Sequence, residues 1–203
     1  KIGVTFHLGS QCMNPNAYKL AIKKASLLIK ESNLDVDFLN IGGGFPAEYL
    51  GIKQQPLSKY FKVINTEFLK YFKNSKTKLL SEPGRVLVSN SMSLIVRVDL
   101  RKKNILYIND GTHSFLYDAG EHDFIYPVKI FKKEEKSKLI PFSFYGPTCD
   151  SSDFMRGPFL LPESTNEGDY LEIEEMGAYS LSMKNNFNGF FSKPKIFIEE
   201  EKK

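Results

Sequence analysis

The chain has 203 residues, 41 % of them hydrophobic and 26 % charged, with 28 Lys and Arg against 24 Asp and Glu for a formal charge of +4. That balance excludes an intrinsically disordered chain, which pairs low hydrophobicity with high net charge. The basic residues are nearly all Lys and scattered, so no nucleic-acid footprint is expected. No apolar run reaches the ~18 residues of a membrane helix, and two cysteines, Cys12 and Cys149, are too few for a disulfide scaffold.

The chain opens on Lys1, and residues 2–6 already read as the interior of a strand. The sequence is therefore expected to begin within a domain, which leaves any targeting segment undetermined. The strand continues to residue 8 and stops at Gly9-Ser10. Asn14-Pro15-Asn16 then marks a helix start, since Asn caps and Pro suits the first turn. Ala17, Leu20, Ala21 and Leu28 recur at helical spacing through 14–32. Val36, Phe38 and Ile41 predict a second strand, ended by Gly42-Gly43-Gly44. Leu57, Phe61, Ile64, Phe68 and Phe72 form one apolar stripe of a second helix. Residues 77–81 are a third short strand, closed by Glu82-Pro83-Gly84-Arg85. The β-α-β-α-β order implies parallel strands with helical crossovers.

Chemistry in parallel α/β sheets and barrels sits at the carboxyl ends of strands. The three loops there carry His7, Gly9 and Ser10, then the triple glycine, then Glu82 and Arg85. Glycines let backbone N–H groups approach an anion, and Arg adds a bidentate phosphate contact. Singly, each feature has an ordinary explanation: a glycine turn, a strand-end histidine, a solvated ion pair. Three such loops at successive strand ends point instead to a phosphorylated ligand held beside a histidine and a carboxylate.

From Ser93 the period changes to that of short strands, at 93–98, 105–108, 126–131 and 169–173. The run from Lys132 to Lys138 predicts a solvated hairpin tip, and the acidic and basic tail at 199–203 is expected to fray. The domain boundary is expected near 89–90. Polar clusters occur at Asn109-Asp110-Gly111, Tyr117-Asp118, 145–150 and Gly177-Ala178-Tyr179. Cys149 beside Asp150 lacks a CxxC partner, and only His7, His113 and His122 are available, so no metal site is expected. Taken alone, Cys149 reads as a small buried thiol and Tyr179 as a core aromatic.

Six blocks in order carry a family resemblance: residues 6–11 (Phe-His-Leu-Gly-Ser-Gln), Gly42-Gly43-Gly44-Phe45-Pro46, Glu82-Pro83-Gly84-Arg85, Tyr117-Asp118, Gly146-Pro147-Thr148-Cys149-Asp150 and Gly177-Ala178-Tyr179. Together they resemble the fold type III pyridoxal-phosphate-dependent decarboxylases, the ornithine, diaminopimelate and arginine group. The resemblance implies an α/β then all-β chain. Residues 1–89 would be the C-terminal portion of a TIM-type (α/β)8 barrel whose N-terminal part is absent, and 90–203 a C-terminal β domain. A whole barrel takes ~250 residues, and the strand with the family's Schiff-base lysine has no counterpart here, so the chain is expected to be a fragment.

The roles implied are as follows. His7 stacks on the pyridoxal 5'-phosphate ring. Ser10, Gly42, Gly43, Gly44 and Arg85 hold the phosphate, with Tyr179 contributing from the β domain. Glu82 pairs with the pyridine nitrogen. Tyr117, Asp118 and Asp150 bind the substrate, Asp118 and Asp150 at its distal ammonium, and Cys149 assists reprotonation of the α-carbon. Cys149 and Asp150 act across a homodimer interface with shared active sites. The expected activity is cytoplasmic decarboxylation of ornithine, with lysine possible, to a diamine of polyamine biosynthesis such as putrescine, without nucleic acid or membrane. Residues 146–150 and 151–162 look like the bacterial ornithine or lysine/ornithine enzymes. The alternatives are a diaminopimelate decarboxylase of lysine biosynthesis and a non-catalytic regulatory homologue. A racemase on the same fold is disfavoured by Cys149-Asp150.

Overall fold

The computed structural model describes residues 1–131, 137–190 and 194–198. The expected hairpin tip falls mostly at 132–136 and the expected frayed tail at 199–203, outside the described residues. The chain forms two compact units, 1–93 with 174–178, and 94–173 with 179–203.

The first unit runs β1 (Gly3–Thr5), α1 (Asn16–Glu31), β2 (Phe38–Asn40), α2 (Leu57–Phe72), β3 (Lys78–Leu80) and α3 (Arg85–Val88). Its strands pair in parallel in the order β1-β2-β3, with Val4 opposite Leu39 and Leu39 opposite Leu79. The helices therefore cross over between neighbouring strands, as the sequence order implies. At the start of α1, Asn14 Oδ1 accepts the Asn16 N–H at 3.0 Å while Pro15 occupies the cap position.

The buried face of α1 differs from the expected one, whereas α2 keeps its expected stripe except at Phe61, with Ile64 and Phe72 buried and Leu57 and Phe68 packed on the core. In α1, Tyr18, Ile22 and Ala25 are buried, while Leu20 and Leu28 are 54 % and 56 % exposed. In α2, Tyr60 is fully buried and its neighbour Phe61 is 49 % exposed. The reason lies in the polar tips of the tyrosines. Tyr18 Oη donates to the Gly43 carbonyl at 2.7 Å and Tyr60 Oη to the Cys12 carbonyl at 2.9 Å. A tyrosine can thus bring its ring into the core and satisfy a loop carbonyl, which phenylalanine and leucine cannot do. Tyr18 stacks on Phe45 at 5.1 Å and meets Tyr60 edge-on at 6.0 Å.

The second unit contains β4 (Leu94–Lys102), β5 (Ile105–Ile108), α4 (Tyr117–Glu121), β6 (Val128–Ile130), β7 (Leu139–Tyr145), β8 (Phe154–Pro162) and β9 (Tyr170–Ile173). They form one sheet in the order β6-β9-β4-β5-β7-β8, in which β5 and β7 are parallel and the other pairs antiparallel. Strands β7 and β8 were not expected. Pro141, Pro158 and Pro162 lie inside them and disguise the pattern. Their buried faces carry Phe142, Phe144, Met155, Phe159 and Leu161, with Phe144 and Phe159 stacked at 4.2 Å. After β9 the chain returns to the first unit, where the Met176 and Gly177 N–H groups donate to the carbonyls of Met92 (2.8 Å) and Ser89 (2.9 Å). No helix among the described residues is long and apolar enough to cross a membrane.

Candidate functional site

The three strand-end loops of the first unit converge. The Glu82 N–H donates to the Gly42 carbonyl at 2.8 Å, and the Gly43 N–H donates to His7 Nδ1 at 3.3 Å. The Cys12 N–H reaches the Gly44 carbonyl at 2.8 Å. These contacts explain why the run must be glycine. Gly42 (φ +65°) and Gly44 (φ +88°) take left-handed conformations, and a Cβ on them would overlap the carbonyl oxygens of Phe6 and Gly9. A Cβ on Gly43 would meet the Glu82 carbonyl.

Arg85, at the start of α3, is only 7 % exposed. Its Nε donates to Ser10 Oγ at 3.1 Å and its Nη1 to Tyr49 Oη at 3.0 Å, with the guanidinium over the Tyr49 ring at 5.7 Å. The side chains of His7 and Glu82 are exposed at the same strand ends. The loop holding Tyr49 is pinned by Gln11, whose side-chain amide bonds both the N–H (2.7 Å) and the carbonyl (3.0 Å) of Ala47. Thus His7, Ser10, Gly42, Gly43, Gly44, Glu82 and Arg85 gather at one edge of the parallel sheet. Tyr49 and Gln11 were missed by sequence reasoning, and the only signal for them was proximity to a glycine block.

In the second unit, Cys149 and Asp150 lie on the loop after β7. That loop is fastened by Asp153, whose carboxylate is fully buried. One of its oxygens accepts the Thr112 N–H at 2.7 Å and the Thr112 hydroxyl at 3.1 Å. The other accepts the Thr148 N–H at 3.1 Å and the Thr148 hydroxyl at 2.8 Å. Gly111 and Gly146 leave room for this carboxylate, since a Cβ on either would overlap it. Asp150 Oδ1 accepts the Ser152 N–H at 2.9 Å and Oδ2 lies 2.9 Å from His113 Nε2. Hydrogen bonding from Ser152, backbone then side chain, and from His113 holds the Asp150 carboxyl below its ordinary range.

The Cys149 thiol is exposed, correcting the reading of a buried one, and accepts from Asn188 Nδ2 at 3.0 Å. The His113 ring lies 4.4 Å from that of Phe187. Asp110, 6 % exposed, accepts from the N–H groups of Gly111 (2.9 Å) and Phe115 (3.0 Å) and from Ser114 Oγ (3.0 Å). Burial nonetheless outweighs these bonds and pushes its carboxyl up to about 6. Asp110, His113, Thr148, Asp153 and Phe190 line a cavity of about 70 Å³.

Tyr117 and Asp118 open α4, apart from this hydrogen-bonded set. The Asp118 carboxylate is 2 % exposed with His122 Nε2 at 4.0 Å, and Tyr117 meets the His122 ring edge-on at 5.8 Å. Tyr179 is 45 % exposed with φ +52°, so it is not a core aromatic. No group of three or more metal-ligating side chains is present among the described residues. Sequence reasoning missed Asp153, His113, Phe187 and Asn188, although the acidic residue three places after Asp150 was a usable signal.

Residues 1–89 match the family model of the pyridoxal-dependent decarboxylases, pyridoxal binding domain. In sequence and in fold, the chain is similar to the fold type III pyridoxal-phosphate decarboxylases. It is 35 % identical to antizyme inhibitor 2 of Xenopus laevis, over 95 % of this chain and 46 % of that one. It is 31 % identical to ornithine decarboxylase 2 of Drosophila melanogaster, over 93 % and 50 %. Among solved structures, the lysine/ornithine decarboxylase of Vibrio vulnificus complexed with cadaverine superposes with a TM-score of 0.77 at 31 % identity, over 93 % and 52 %. The chain spans about half the length of the curated relatives it matches.

Proposed function

We propose that this chain is part of a pyridoxal-phosphate-dependent amino acid decarboxylase, with 1–89 forming the C-terminal portion of the cofactor barrel and 90–203 the β domain. The whole enzyme is a cytoplasmic homodimeric carboxy-lyase of the bacterial ornithine or lysine/ornithine type. It converts ornithine, with lysine as a second substrate, to a diamine. The observation that carries this reading is the buried Arg85, bonded to the Ser10 and Tyr49 hydroxyls beside a glycine run that cannot accept a Cβ.

That donor set suits a phosphorylated pyridine. A guanidinium and a hydroxyl match a phosphate, while the exposed carboxylate of Glu82 matches a protonated ring nitrogen. Pyridoxal phosphate would supply there an electron sink for the pair released as carbon dioxide leaves. Glu82 would hold the proton on the ring nitrogen, His7 would stack on the ring, and Tyr179 would be a further donor for the phosphate. Cys149 returns a proton to the substrate α-carbon from the partner subunit, with Asp150 beside it.

Substrate choice follows from charge. Asp118, Asp150 and the neighbouring Tyr117 receive an ammonium on a short stem. Diaminopimelate would bring a second carboxylate to the same place, and burying like charges together is costly without a cation. Neither block, 117–118 nor 146–150, contains Arg. The test is kcat/KM of the full-length enzyme with ornithine, lysine, arginine and diaminopimelate. Ornithine should lead, lysine should follow within roughly 10–200-fold because one methylene separates them, and diaminopimelate should be poorest. A preference for diaminopimelate overturns the reading.

A second reading, a homologue that acts by binding another protein, is favoured by the 35 % identity to antizyme inhibitor 2. It predicts no carbon dioxide release from any of the four amino acids under saturating cofactor.

A further inference from the structure

Asp150 shares its carboxylate with another side chain. Oδ1 is taken by the Ser152 N–H, and Oδ2 sits 2.9 Å from His113 Nε2. Both partners are reachable from solvent, the side chains of His113 and Asp150 being 27 % and 31 % exposed. His113 also lines the cavity beside Thr148 and Asp110. A pair serving only to fix the loop would not need this accessibility, because Asp153 already fastens the loop from beneath with four hydrogen bonds.

We infer that His113 is a specificity-determining residue: it shares the Asp150 carboxylate with the cationic side chain of the substrate, so that protonation of His113 and binding of that cation exclude one another. The inference rests on the reading that Asp150 receives the distal ammonium. Neutral His113 donates Nε2–H to Asp150, which orients the carboxylate and leaves it anionic with lone pairs to spare. Protonated His113 neutralises the pair and sets a cation against the incoming ammonium.

The groups around His113 do not substitute for it. Asp110 and Asp153 lie on the same cavity, Asp110 committed to donors of its own loop and Asp153 to Thr112 and Thr148 on two loops. Lys184 sits over the Phe115 ring and interacts with Asp110. Cys149 is engaged by Asn188, and Phe187 covers one face of the His113 ring. Of these, Asp110 is the one whose carboxyl burial pushes up, to about 6.

The test uses the full-length dimeric enzyme. KM for ornithine, measured from about pH 5 to about pH 9, should rise by up to about tenfold per pH unit on the acid side, because one proton competes with the substrate. His113→Gln keeps a donor to Asp150 but cannot become cationic, and should lose this limb. His113→Phe should also lose the limb. Asp110→Asn should keep it. Independently of any variant, putrescine added to the enzyme should lower the His113 pKa followed by histidine NMR. An acid limb that survives in both His113 variants, or a His113 titration unmoved by putrescine, overturns the inference. Asp150→Asn separates the two readings. If that variant loses the preference for a cationic side chain while the His113 results fail, only this inference falls. If the preference survives in it, the role assigned to Asp150 falls as well.

Discussion

Removing the Asp153 carboxylate should loosen the loop that carries Cys149 and Asp150. The side chain is fully buried and accepts four hydrogen bonds, two from backbone N–H groups and two from hydroxyls, of Thr112 and Thr148. Hydrogen bonds to a charged group contribute roughly 1.5–3 kcal/mol each, and a buried donor left unsatisfied costs about 1–3 kcal/mol. The threonine hydroxyls can rotate to other acceptors, but the two N–H groups cannot. Asp153→Ala should therefore cost about 3–5 kcal/mol of unfolding free energy. Asp153→Asn keeps the shape but must turn its NH2 toward either the Thr112 or the Thr148 donors, so it should cost roughly half as much. Urea unfolding of the full-length protein measures both. Thiol labelling gives a local readout, since a freed loop should detach Cys149 from Asn188 and speed its modification. Stability within about 0.5 kcal/mol of the parent, together with unchanged Cys149 labelling, would refute the argument.

Three further outcomes are expected of the full-length enzyme. Glu82→Gln should lower kcat sharply with the cofactor still bound, whereas Arg85→Ala should mainly weaken cofactor affinity, by roughly 10–150-fold for a lost charge-assisted contact of about 1.5–3 kcal/mol; titrating the apoenzyme with pyridoxal phosphate checks both. Asp110 is held up to about 6 by burial, so its contribution to stability is full below its unfolded value near 4 and lost as pH rises through about 6. Wild-type unfolding free energy should therefore fall by on the order of 2–3 kcal/mol across that window relative to Asp110→Asn, as urea midpoints at several pH values would show. Mixing inactive Cys149→Ala subunits with subunits lacking the Schiff-base lysine should restore part of the activity, because one site of each mixed dimer then has both groups intact. No restoration despite proven subunit exchange would place the chemistry within one chain.

The order of strands and helices in the first unit could be read from the sequence because glycine blocks punctuate it at each strand end. The full helix faces could not, although Leu57, Ile64, Phe68 and Phe72 of α2 do meet the core, because periodicity ranks side chains by apolarity alone. Tyr18 and Tyr60 were passed over for Leu20 and Phe61, yet the tyrosines reach loop carbonyls and so claim the core. Strands β7 and β8 were hidden for a related reason. Proline weakens a strand assignment, but the alternation of buried Phe142 and Phe144 with less buried neighbours persists through it. The triple glycine was legible because its requirement is steric, whereas the partners of Arg85 depended on a loop pinned by Gln11, a contact between residues 36 apart in sequence.

The second unit shows why a motif can name carboxylates without ranking them. Four aspartates, at 110, 118, 150 and 153, cluster in the sequence blocks that flank β5 and β7. Asp153 spends its lone pairs on four donors from two loops and Asp110 on three of its own, so both are structural. The Asp118 side chain, 3 % exposed, faces His122, whereas that of Asp150 is 31 % exposed and lies beside an exposed thiol. Burial penalises a charge unless it is matched, and an incoming cation must be able to reach the group it matches. Of the four, Asp150 meets that condition best. The first unit offers the opposite arrangement, a buried cation bonded to the Ser10 and Tyr49 hydroxyls. Each unit thus gathers charge of one sign, a buried guanidinium in the first and a solvent-reachable carboxylate in the second.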